Sequence, residues 1–436
     1  MGWTPQPMEQ TAPAPAPPVD RRFPASETLT TYLLFGLFAA TLLGIAKFHK
    51  LALPIALGGL GCVLLVKLTM TPFDLGAHLH HEASTIVNLG GLLLGFAVLA
   101  NYFERSNLAE KLTEVLPAGR MGAFLLLVLI AVMSSVLDNI AAALIGGAAA
   151  ITLFQRKVHI GYLAAIVAAS NAGGAGSVVG DTTTTMIWLE EISPLSVAEA
   201  ALGAVVAIAF FGFFAARQQT ALQPLVRGHG EHKPIDLGSL GVVLLILVGA
   251  IAANLQWGRP AYGVWGAIAL GALLRRPDLK VVPPAALGAC FLLSLVLSAS
   301  MMPVGDLPAA TPWTALGLGV VSAFFDNIPL TALALKQGGY DWGFLAYCVG
   351  YGGSMLWFGS SAGVAISGLF PEAKSAKNWL VNGWHVAVGY FLGFFAMFAI
   401  LGWHPGEAPK SLRGGAPQAG HAVPAHGHGT PSQPGK

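Results

Sequence analysis

The sequence predicts an all-α polytopic membrane protein of two inverted-topology repeats, each with a re-entrant hairpin and a broken helix. Hydrophobic residues make up 55% of the chain and charged residues only 10%, whereas a soluble domain carries about 25% charged residues. Many windows reach the roughly 18 uncharged, mostly apolar residues that indicate a membrane-spanning helix. In addition, an Asp-Asn motif and a glycine-rich polar segment occur twice, in the same order, within apolar sequence.

The apolar stretches predict about ten membrane-spanning helices. Their expected positions are 28–46, 51–69, 83–102, 160–189, 198–216, 237–257, 260–274, 282–301, 342–368 and 378–402. Two further apolar stretches, 121–154 and 311–336, have a polar Asp-Asn centre between shorter apolar arms. We interpret each as a re-entrant hairpin that enters and leaves on one side of the membrane, with Asp-Asn at its tip. A single spanning helix with Asp-Asn at mid-membrane is the alternative.

The Asp-Asn motif is the first element that occurs twice. Residues 134–140 read Ser-Ser-Val-Leu-Asp-Asn-Ile, and residues 322–328 read Ser-Ala-Phe-Phe-Asp-Asn-Ile. A carboxylate at membrane depth is costly, so an ionisable residue there indicates a functional site. An aspartate that only caps a helix is the structural alternative for each copy.

A glycine-rich polar segment follows each Asp-Asn motif. The first, 170–185, has four glycines within eight residues and ends in Asp181 and four threonines, whereas the second, 350–361, has Ser360 in the place of Asp181. Glycine tolerates backbone conformations that other residues resist, so a continuous helix is not expected. An unwound helix frees carbonyl oxygens that can bind a cation. Helix packing through small residues would explain the glycines, but not Asp181 beside four threonines.

Together the repeated motifs supply side-chain oxygens for a cation or proton site. The candidate binding residues are Ser134, Asp138, Asn139, Asn171, Ser177, Asp181, Thr182, Thr183, Ser322, Asp326, Asn327, Ser354, Ser360 and Ser361. The glycines expected to break the helices are Gly173, Gly174, Gly176, Gly180, Gly352, Gly353 and Gly359. An all-oxygen site suits a hard cation such as Na+, by analogy with the oxygen sites of other hard ions.

The distribution of basic residues predicts the orientation, because cytoplasmic loops are rich in Lys and Arg. The predicted spans and hairpins place on one side Lys47, Lys50, Arg105, Lys111, Arg120, Arg156, Lys157, Arg217, Arg227, Lys233, Arg275, Arg276, Lys280, Lys374 and Lys377. This side is then cytoplasmic, and both termini face outside. The first hairpin opens from the cytoplasm and the second from outside, so the halves 28–216 and 237–402 have opposite orientation.

Three segments lie outside the two halves. Residues 1–27 and 403–436 are rich in Pro, Gly or His and are predicted to be disordered tails. Residues 217–236 are predicted to form a cytoplasmic linker. His421, His426 and His428 could bind a metal weakly, with a flexible tail as the alternative. The sequence His80-His81-Glu82 is interpreted as a solvated loop, with a metal-binding or pH-sensing cluster as the alternative. His385 is interpreted as a histidine that is hydrogen-bonded between helices, with a proton relay as the alternative.

The sign of the charge favours a cation as the transported species. Asp138, Asp181 and Asp326 are expected to converge near the midplane, and no Lys or Arg lies in the repeated motifs. Ionised carboxylates repel an anion strongly in a low-dielectric site. A buried carboxylate can instead hold either a proton or a cation, and that choice is the simplest chemistry of proton-coupled exchange.

At this point the chain resembles the NhaD-type sodium/proton antiporters of the ion transporter superfamily, which also includes citrate, dicarboxylate and arsenite carriers. Residues 170–185, the two Asp-Asn tips and residues 352–365 carry the resemblance. It implies an elevator-like motion, a homodimer, and Na+ bound at Asp138, Asn139, Asn171 and Asp181. In the second half, Asp326, Asn327 and residues 352–361 would form the partner site. One departure is that no charged residue in the second half matches Asp181.

Several functions remain open at this stage. The first is exchange of Na+ or Li+ for H+, with Asp138 and Asp326 binding cation or proton. The alternatives are an Na+- or H+-coupled carrier of citrate or another carboxylate, and an arsenite-type efflux permease. No enzyme, organic cofactor or nucleic-acid partner is predicted. The expected location is the bacterial cytoplasmic (inner) membrane, with the lipid bilayer and a small cation as partners.

Overall fold

A computed structural model of the protein describes residues 25–48, 51–108, 111, 115–226 and 234–413. In this part of the chain the regular structure is entirely helical. The first half contains α1 (Ala25–Lys47), α2 (Ala52–Met70), α3 (Leu75–Arg105), α4 (Arg120–Ser134), α5 (Asn139–Leu153), α6 (Ile160–Ala175), α7 (Thr182–Leu189), α8 (Pro194–Ala198) and α9 (Ala200–Leu222). The second contains α10 (Leu237–Trp257), α11 (Pro260–Gly271), α12 (Val282–Ser300), α13 (Pro312–Ser322), α14 (Asn327–Gln337), α15 (Trp342–Gly352), α16 (Ser361–Leu369), α17 (Ala376–Asn382), α18 (Trp384–Ile400) and α19 (Lys410–Arg413).

The chain is a polytopic membrane protein. Among the described residues, six helices are long and apolar enough to cross a membrane, and the pair α17–α18, bent by 62°, would make a seventh. The sequence predicts about ten spans, and the difference lies in the segments that are broken or short. Residues 160–189 and 342–368 each form shorter helices, and α11 has only 12 residues.

The two Asp-Asn motifs each divide an apolar stretch into two helices. Helix α4 ends at Ser134 and α5 begins at Asn139, while α13 ends at Ser322 and α14 begins at Asn327. The aspartate before each second helix accepts a hydrogen bond from the backbone N–H of the following isoleucine. This is N-capping, which satisfies a donor that the helix itself leaves unpaired.

The glycine-rich segments are broken as well: α6 ends at Ala175 before α7 begins at Thr182, and α15 ends at Gly352 before α16 begins at Ser361. Gly173, Gly174 and Gly352, expected to break the helices, lie inside α6 and α15, where they let these helices approach α4 and α13 closely. We call the pairs α4–α5 and α13–α14 the first and second hairpin; their re-entrant path stays a prediction. A Cβ atom on Gly173 would come within 2.1 Å of the carbonyl oxygen of Ala131, and one on Gly352 within 2.1 Å of that of Gly319. Only glycine permits this approach. The positions match in the two halves, since α6 packs on α4 in the same way that α15 packs on α13.

The second helix of each hairpin packs across the molecule. Helix α5 of the first half contacts α16 of the second, and α14 of the second half contacts α7 of the first. This crossed packing brings the starts of α5, α7, α14 and α16 to the centre, where the motifs meet.

Helix α15 is buried along its whole length, as expected for a helix that is apolar all round. Its Tyr347 and Tyr351 rings stack on each other and on Tyr390 of α18. The three hydroxyl groups donate to the backbone carbonyls of Tyr390, Val386 and Leu316, at 2.9, 2.7 and 2.8 Å. The stack therefore attaches the broken helix to α18 and α13 without leaving a buried hydroxyl unpaired.

Two sequence interpretations are wrong. Residues 403–413, assigned to the disordered tail, pack on the body: the His404 N–H donates to Asp341, and Lys410 pairs with Glu191 at 2.7 Å. His80, His81 and Glu82 lie within α3 rather than in a loop, because the Asp74 side chain caps that helix eight residues before the predicted start. The remaining tail residues, 1–24 and 414–436, and linker residues 227–233 lie outside the described part.

Candidate functional site

Four polar residues stand immediately before the helices that meet at the centre. Asp138 and Asp326 each accept a hydrogen bond from the backbone N–H two residues on, at 2.9 and 3.2 Å. Ser360 accepts one from the Gly363 N–H at 3.2 Å. Asp181 occupies the same position before α7 but makes no side-chain capping bond. Its carboxylate is therefore available for other partners.

Those partners are the asparagines at the two hairpin tips. The Asn139 amide nitrogen donates to Asp181 Oδ1 at 3.2 Å, and the Asn327 amide nitrogen donates to Oδ1 and Oδ2 at 3.3 and 3.2 Å. One carboxylate from the first half thus binds a residue from each half. Asp181 is 3% exposed, Asn139 6% and Asn327 4%, so these bonds are shielded from water.

A second layer extends from Asn139. Its amide nitrogen also donates to Asn171 Oδ1 at 3.1 Å, and the Asn171 amide nitrogen donates to Ser354 Oγ at 3.0 Å. Both Asn171 and Ser354 are fully buried. We call Asn139, Asn171, Asp181, Asn327 and Ser354 the Asp181 network. The chain folds this way because the crossed packing aligns α5 and α14 on either side of Asp181.

Gly350 makes room for the central carboxylate. A Cβ atom at this position would lie 3.2 Å from Asp181 Oδ2 and 3.2 Å from the Cβ of Ala175. Counting from the matched pairs Gly173–Gly352 and Gly180–Gly359, Gly350 takes the place that Asn171 has in the first half. By the same count Ser360 takes the place of Asp181.

The other predicted binding residues lie around the network. Ser361 Oγ donates to Asp326 Oδ2 at 2.9 Å, and Ser322 Oγ donates to the Val349 carbonyl at 2.9 Å. Ser177 Oγ donates to the Ser135 carbonyl at 2.6 Å, which ties the first broken segment to the first hairpin tip. Three further hydroxyl residues complete the set. Ser134 is buried and has no hydrogen-bond partner in the described chain, Thr183 is buried, and Thr182 is half-buried.

The three aspartates do not join in one cluster. Asp181 is close enough to Asp138 and Asp326 for their charges to interact, but within the described residues no three acidic, His or Cys side chains could hold a metal ion together. The expected convergence is therefore replaced by one central carboxylate with amide partners and two flanking carboxylates. The reason is that Asp138 and Asp326 are occupied in capping their own helices.

Asp326 also lines a cavity of about 160 Å³, together with Ser360 and Ser361. The remaining walls are apolar and include Phe324, Phe325 and Phe358 of the second half, with α1, α2 and α12 on the other side. Asp326 is half-buried, so the cavity gives the second hairpin tip an open space beside the Asp181 network.

The network has the groups needed to exchange a proton for a cation. An asparagine amide presents a donor nitrogen and an acceptor oxygen at equal reach, so a half-turn of the amide exchanges one for the other. With nitrogens facing Asp181, the network stabilises a bare carboxylate, and with oxygens facing inward it offers neutral ligands to a cation. Among the described residues no basic side chain contacts Asp181.

The sequence analysis does not predict that Asn139 and Asn327, at the two tips, bind the same carboxylate. The signal was present in the alignment of the two glycine-rich segments, where Asn171 matches Gly350 and Asp181 matches Ser360. His385 fits its interpretation, since its Nε2 lies 3.1 Å from Gln218 Oε1 on α9.

Broken apolar helices around a buried carboxylate are typical of secondary transporters, and the comparisons agree. Residues 32–350 match the citrate transporter family, and the chain belongs to that family. It is a membrane transporter and not an enzyme. Sodium/proton antiporter 1 of Arabidopsis thaliana is 33% identical over 331 residues, which are 62% of this chain and 54% of that protein. Sodium/proton antiporter 2 of the same plant is 28% identical over 340 residues, which are 66% of this chain and 79% of that protein. The chain thus spans about half of the first relative.

Proposed function

We propose that the protein exchanges Na+ or Li+ for H+ across the membrane. The observation that carries this proposal is the convergence of Asn139 and Asn327 on the single buried carboxylate of Asp181. A carboxylate in such a place binds a proton or a cation, and binding of one displaces the other. The two plant relatives, both named as sodium/proton antiporters, support the same choice.

The charge of the site supports a cation over a carboxylate substrate. Asp181 interacts with the like charges of Asp138 and Asp326, and an anion placed among them would be repelled. Lys336, on the α14 helix of the second hairpin, is directed elsewhere, since its ammonium group donates to the backbone carbonyls of Ser300 and Met302. No contact described for the network therefore compensates the charge of citrate.

In the proposed cycle, Asp181 binds the proton and the cation in turn. Asn139 and Asn327, at the two tips, control access to it. A Na+ ion would be bound by carboxylate and amide oxygens, including Asn171 Oδ1, in the all-oxygen surroundings that hard cations prefer. Asp138 and Asp326, at the two tips, would take up cation or proton only in passing, and so attract the ion toward Asp181. Movement of the hairpins and broken helices relative to α1–α3 and α10–α12 would give elevator-like alternating access.

The proposal includes the arrangement in the membrane. We place the protein in the bacterial cytoplasmic membrane from the family resemblance. The basic residues support both termini outside and inverted halves 28–216 and 237–402. A homodimer is proposed from the family resemblance. Ser375→Cys and Glu407→Cys, each in a chain whose three native cysteines are replaced by alanine, test the orientation, because an impermeant thiol reagent added to whole cells should label Glu407→Cys and not Ser375→Cys. Labelling of Ser375→Cys alone would reverse the topology.

A citrate carrier is the second candidate, favoured by the description of the family that residues 32–350 match. One experiment separates the two. The purified protein is reconstituted in vesicles that contain a pH-sensitive dye, and NaCl, LiCl, KCl or the citrate salt of an inert cation is added. We expect Na+ or Li+ alone to change the internal pH. Uptake of labelled citrate with no response to any cation would refute the antiporter and establish the carboxylate carrier.

A further inference from the structure

We infer that the protein has one cation site per chain, shared by the two halves, rather than one site in each half. This inference rests on the proposed exchange of Na+ or Li+. The repeated motifs alone would suggest two sites, because each half has an Asp-Asn tip followed by a glycine-rich break.

The second half lacks the ligands that a second cation site would need. The positions of Asn171 and Asp181 are taken in the second half by Gly350 and Ser360. Gly350 has no side chain, and the Ser360 hydroxyl accepts the capping bond from Gly363 N–H. The second half thus has neither a free carboxylate nor a buried amide at the matched positions.

The tip of the second hairpin already binds the carboxylate of the first half. Asn327 donates to both oxygens of Asp181, at 3.3 and 3.2 Å, and so its amide belongs to the first half's carboxylate. The Cβ of a larger residue at Gly350 would press against Asp181 Oδ2 at 3.2 Å. The loss of a side chain at Gly350 is therefore what lets Asp181 serve both tips.

The two flanking carboxylates, Asp138 and Asp326, do not form a second buried site either. Both oxygens of Asp326 already accept hydrogen bonds, from Ile328 N–H and Ser361 Oγ. Asp138 Oδ1 accepts from Ile140 N–H. Each aspartate is half-buried at a helix start, and in the described part of the chain neither accepts a hydrogen bond from a side-chain amide. Either can attract an ion, but neither is set among the neutral oxygens that a second buried site would need.

The test is the number of cations bound per chain. Radioactive Na+ is measured by equilibrium dialysis against the purified full chain in detergent, at saturating concentration, for the wild type, Asp181→Asn and Ser360→Ala. We expect about one Na+ per chain for the wild type and for Ser360→Ala, and none for Asp181→Asn. Transport should depend on Na+ with a Hill coefficient of about one.

Other results would overturn either the single shared site alone or the proposed exchange as well. Two Na+ ions per chain in the wild type, one of which is lost in Ser360→Ala, would overturn the single shared site and leave the exchange function intact. A thermal melt of Ser360→Ala shows whether loss of the helix cap has unfolded the protein, and dialysis is then read only on folded material. Failure of the wild type to bind Na+ or Li+ would overturn the proposed function, and with it this inference.

Discussion

Asn327 binds both carboxylate oxygens of Asp181, although the two residues are separated by 146 positions in the chain. The contact joins the tip of the second hairpin to the broken helix of the first half. Because both side chains are almost fully buried, any ion that binds Asp181 must change this contact. In the proposed exchange, opening and closing of the second tip would thereby be linked to occupation of the site.

Replacement of Asp181 by Asn should abolish exchange. An amide of the same size cannot hold a proton and a cation in turn, so Na+-dependent proton movement in vesicles should fall to the level of protein-free vesicles. Asp278→Asn is the matched control, because Asp278 is an exposed helix-capping residue and asparagine caps a helix about as well as aspartate. Substantial Na+ response in Asp181→Asn would contradict the central role of this carboxylate.

Asp326→Asn should weaken exchange without abolishing it. Asparagine can still cap α14, so the fold is kept, whereas the charge that attracts the ion to the second tip is lost. We expect a higher half-saturating Na+ concentration at an unchanged melting temperature, measured with the dye assay and a thermal melt. Complete loss of transport with normal Na+ binding would instead make Asp326 an obligatory proton carrier.

Removal of the Asn327 amide should reduce the apparent affinity for Na+. In Asn327→Ala, the Na+-bound state loses the amide oxygen proposed as a ligand, and we take its contribution as that of a hydrogen bond to a charged group, about 1.5–3 kcal/mol. That range corresponds to roughly a tenfold to hundredfold increase in the half-saturating Na+ concentration. Asn382→Ala is the control, since the Asn382 amide donates only to a backbone carbonyl at an exposed position. An unchanged Na+ dependence in Asn327→Ala would remove the second tip from the site.

Gly350→Ala should impair transport by crowding Asp181. The added methyl group would stand 3.2 Å from Asp181 Oδ2, displacing either the carboxylate or α15. The control is Gly368→Ala, another glycine within a helix, where nothing lies within 4 Å of the new Cβ atom. In a helix interior alanine is favoured over glycine by roughly 0.5–1 kcal/mol, so Gly368→Ala should melt at the same or a higher temperature. Equal transport by the two variants would show that Gly350 is not needed for the site.

The contact between Asp236 and Arg275 should give a stability that depends on pH. Arg275 lies 3.0 Å away and holds the pKa of the Asp236 carboxyl well below its ordinary value. A lowered pKa means that this stabilisation is fully present above the ordinary pKa of about 3.9 and is lost as the pH falls toward the folded-state pKa. Asp236→Asn should therefore melt lower than the wild type at pH near 7, and the two melting temperatures should approach each other in acid. A difference that is the same at every pH would contradict this assignment.

The positions of the helix breaks could be predicted from the sequence, but their hydrogen bonding could not. Glycine clusters and Asp-Asn pairs indicate a break because of local backbone preference. Gly176, Gly180 and Gly359 do lie between helices, whereas Gly173, Gly174 and Gly352 lie inside them. Which aspartate caps a helix and which is free depends on the crossed packing of α5 with α16 and α14 with α7. This packing joins residues more than a hundred positions apart, and no local pattern contains it.

The exact helix boundaries could not be predicted from the sequence either. The predicted 83–102 helix begins at Leu75 because Asp74 caps it, and the residues added at its start are too polar for an apolar window to include. Residues 403–413 lack apolar periodicity, yet they are ordered by contacts with Asp341 and Glu191, which belong to distant segments. The central asymmetry between Asp181 and Ser360 is visible in the sequence, whereas its result, a carboxylate shared by two tips, requires the structure.

The crossed packing also determines how the protein can be assembled during synthesis. Helix α5 emerges from the ribosome more than two hundred residues before its partner α16, and until then one side of it lacks its native neighbour. The first half therefore cannot complete its core alone, and the second half has the same dependence on α7. We therefore expect the two halves to interlock as a late step. A chain truncated before residue 361 would leave an unfinished first hairpin for quality-control proteases to recognise.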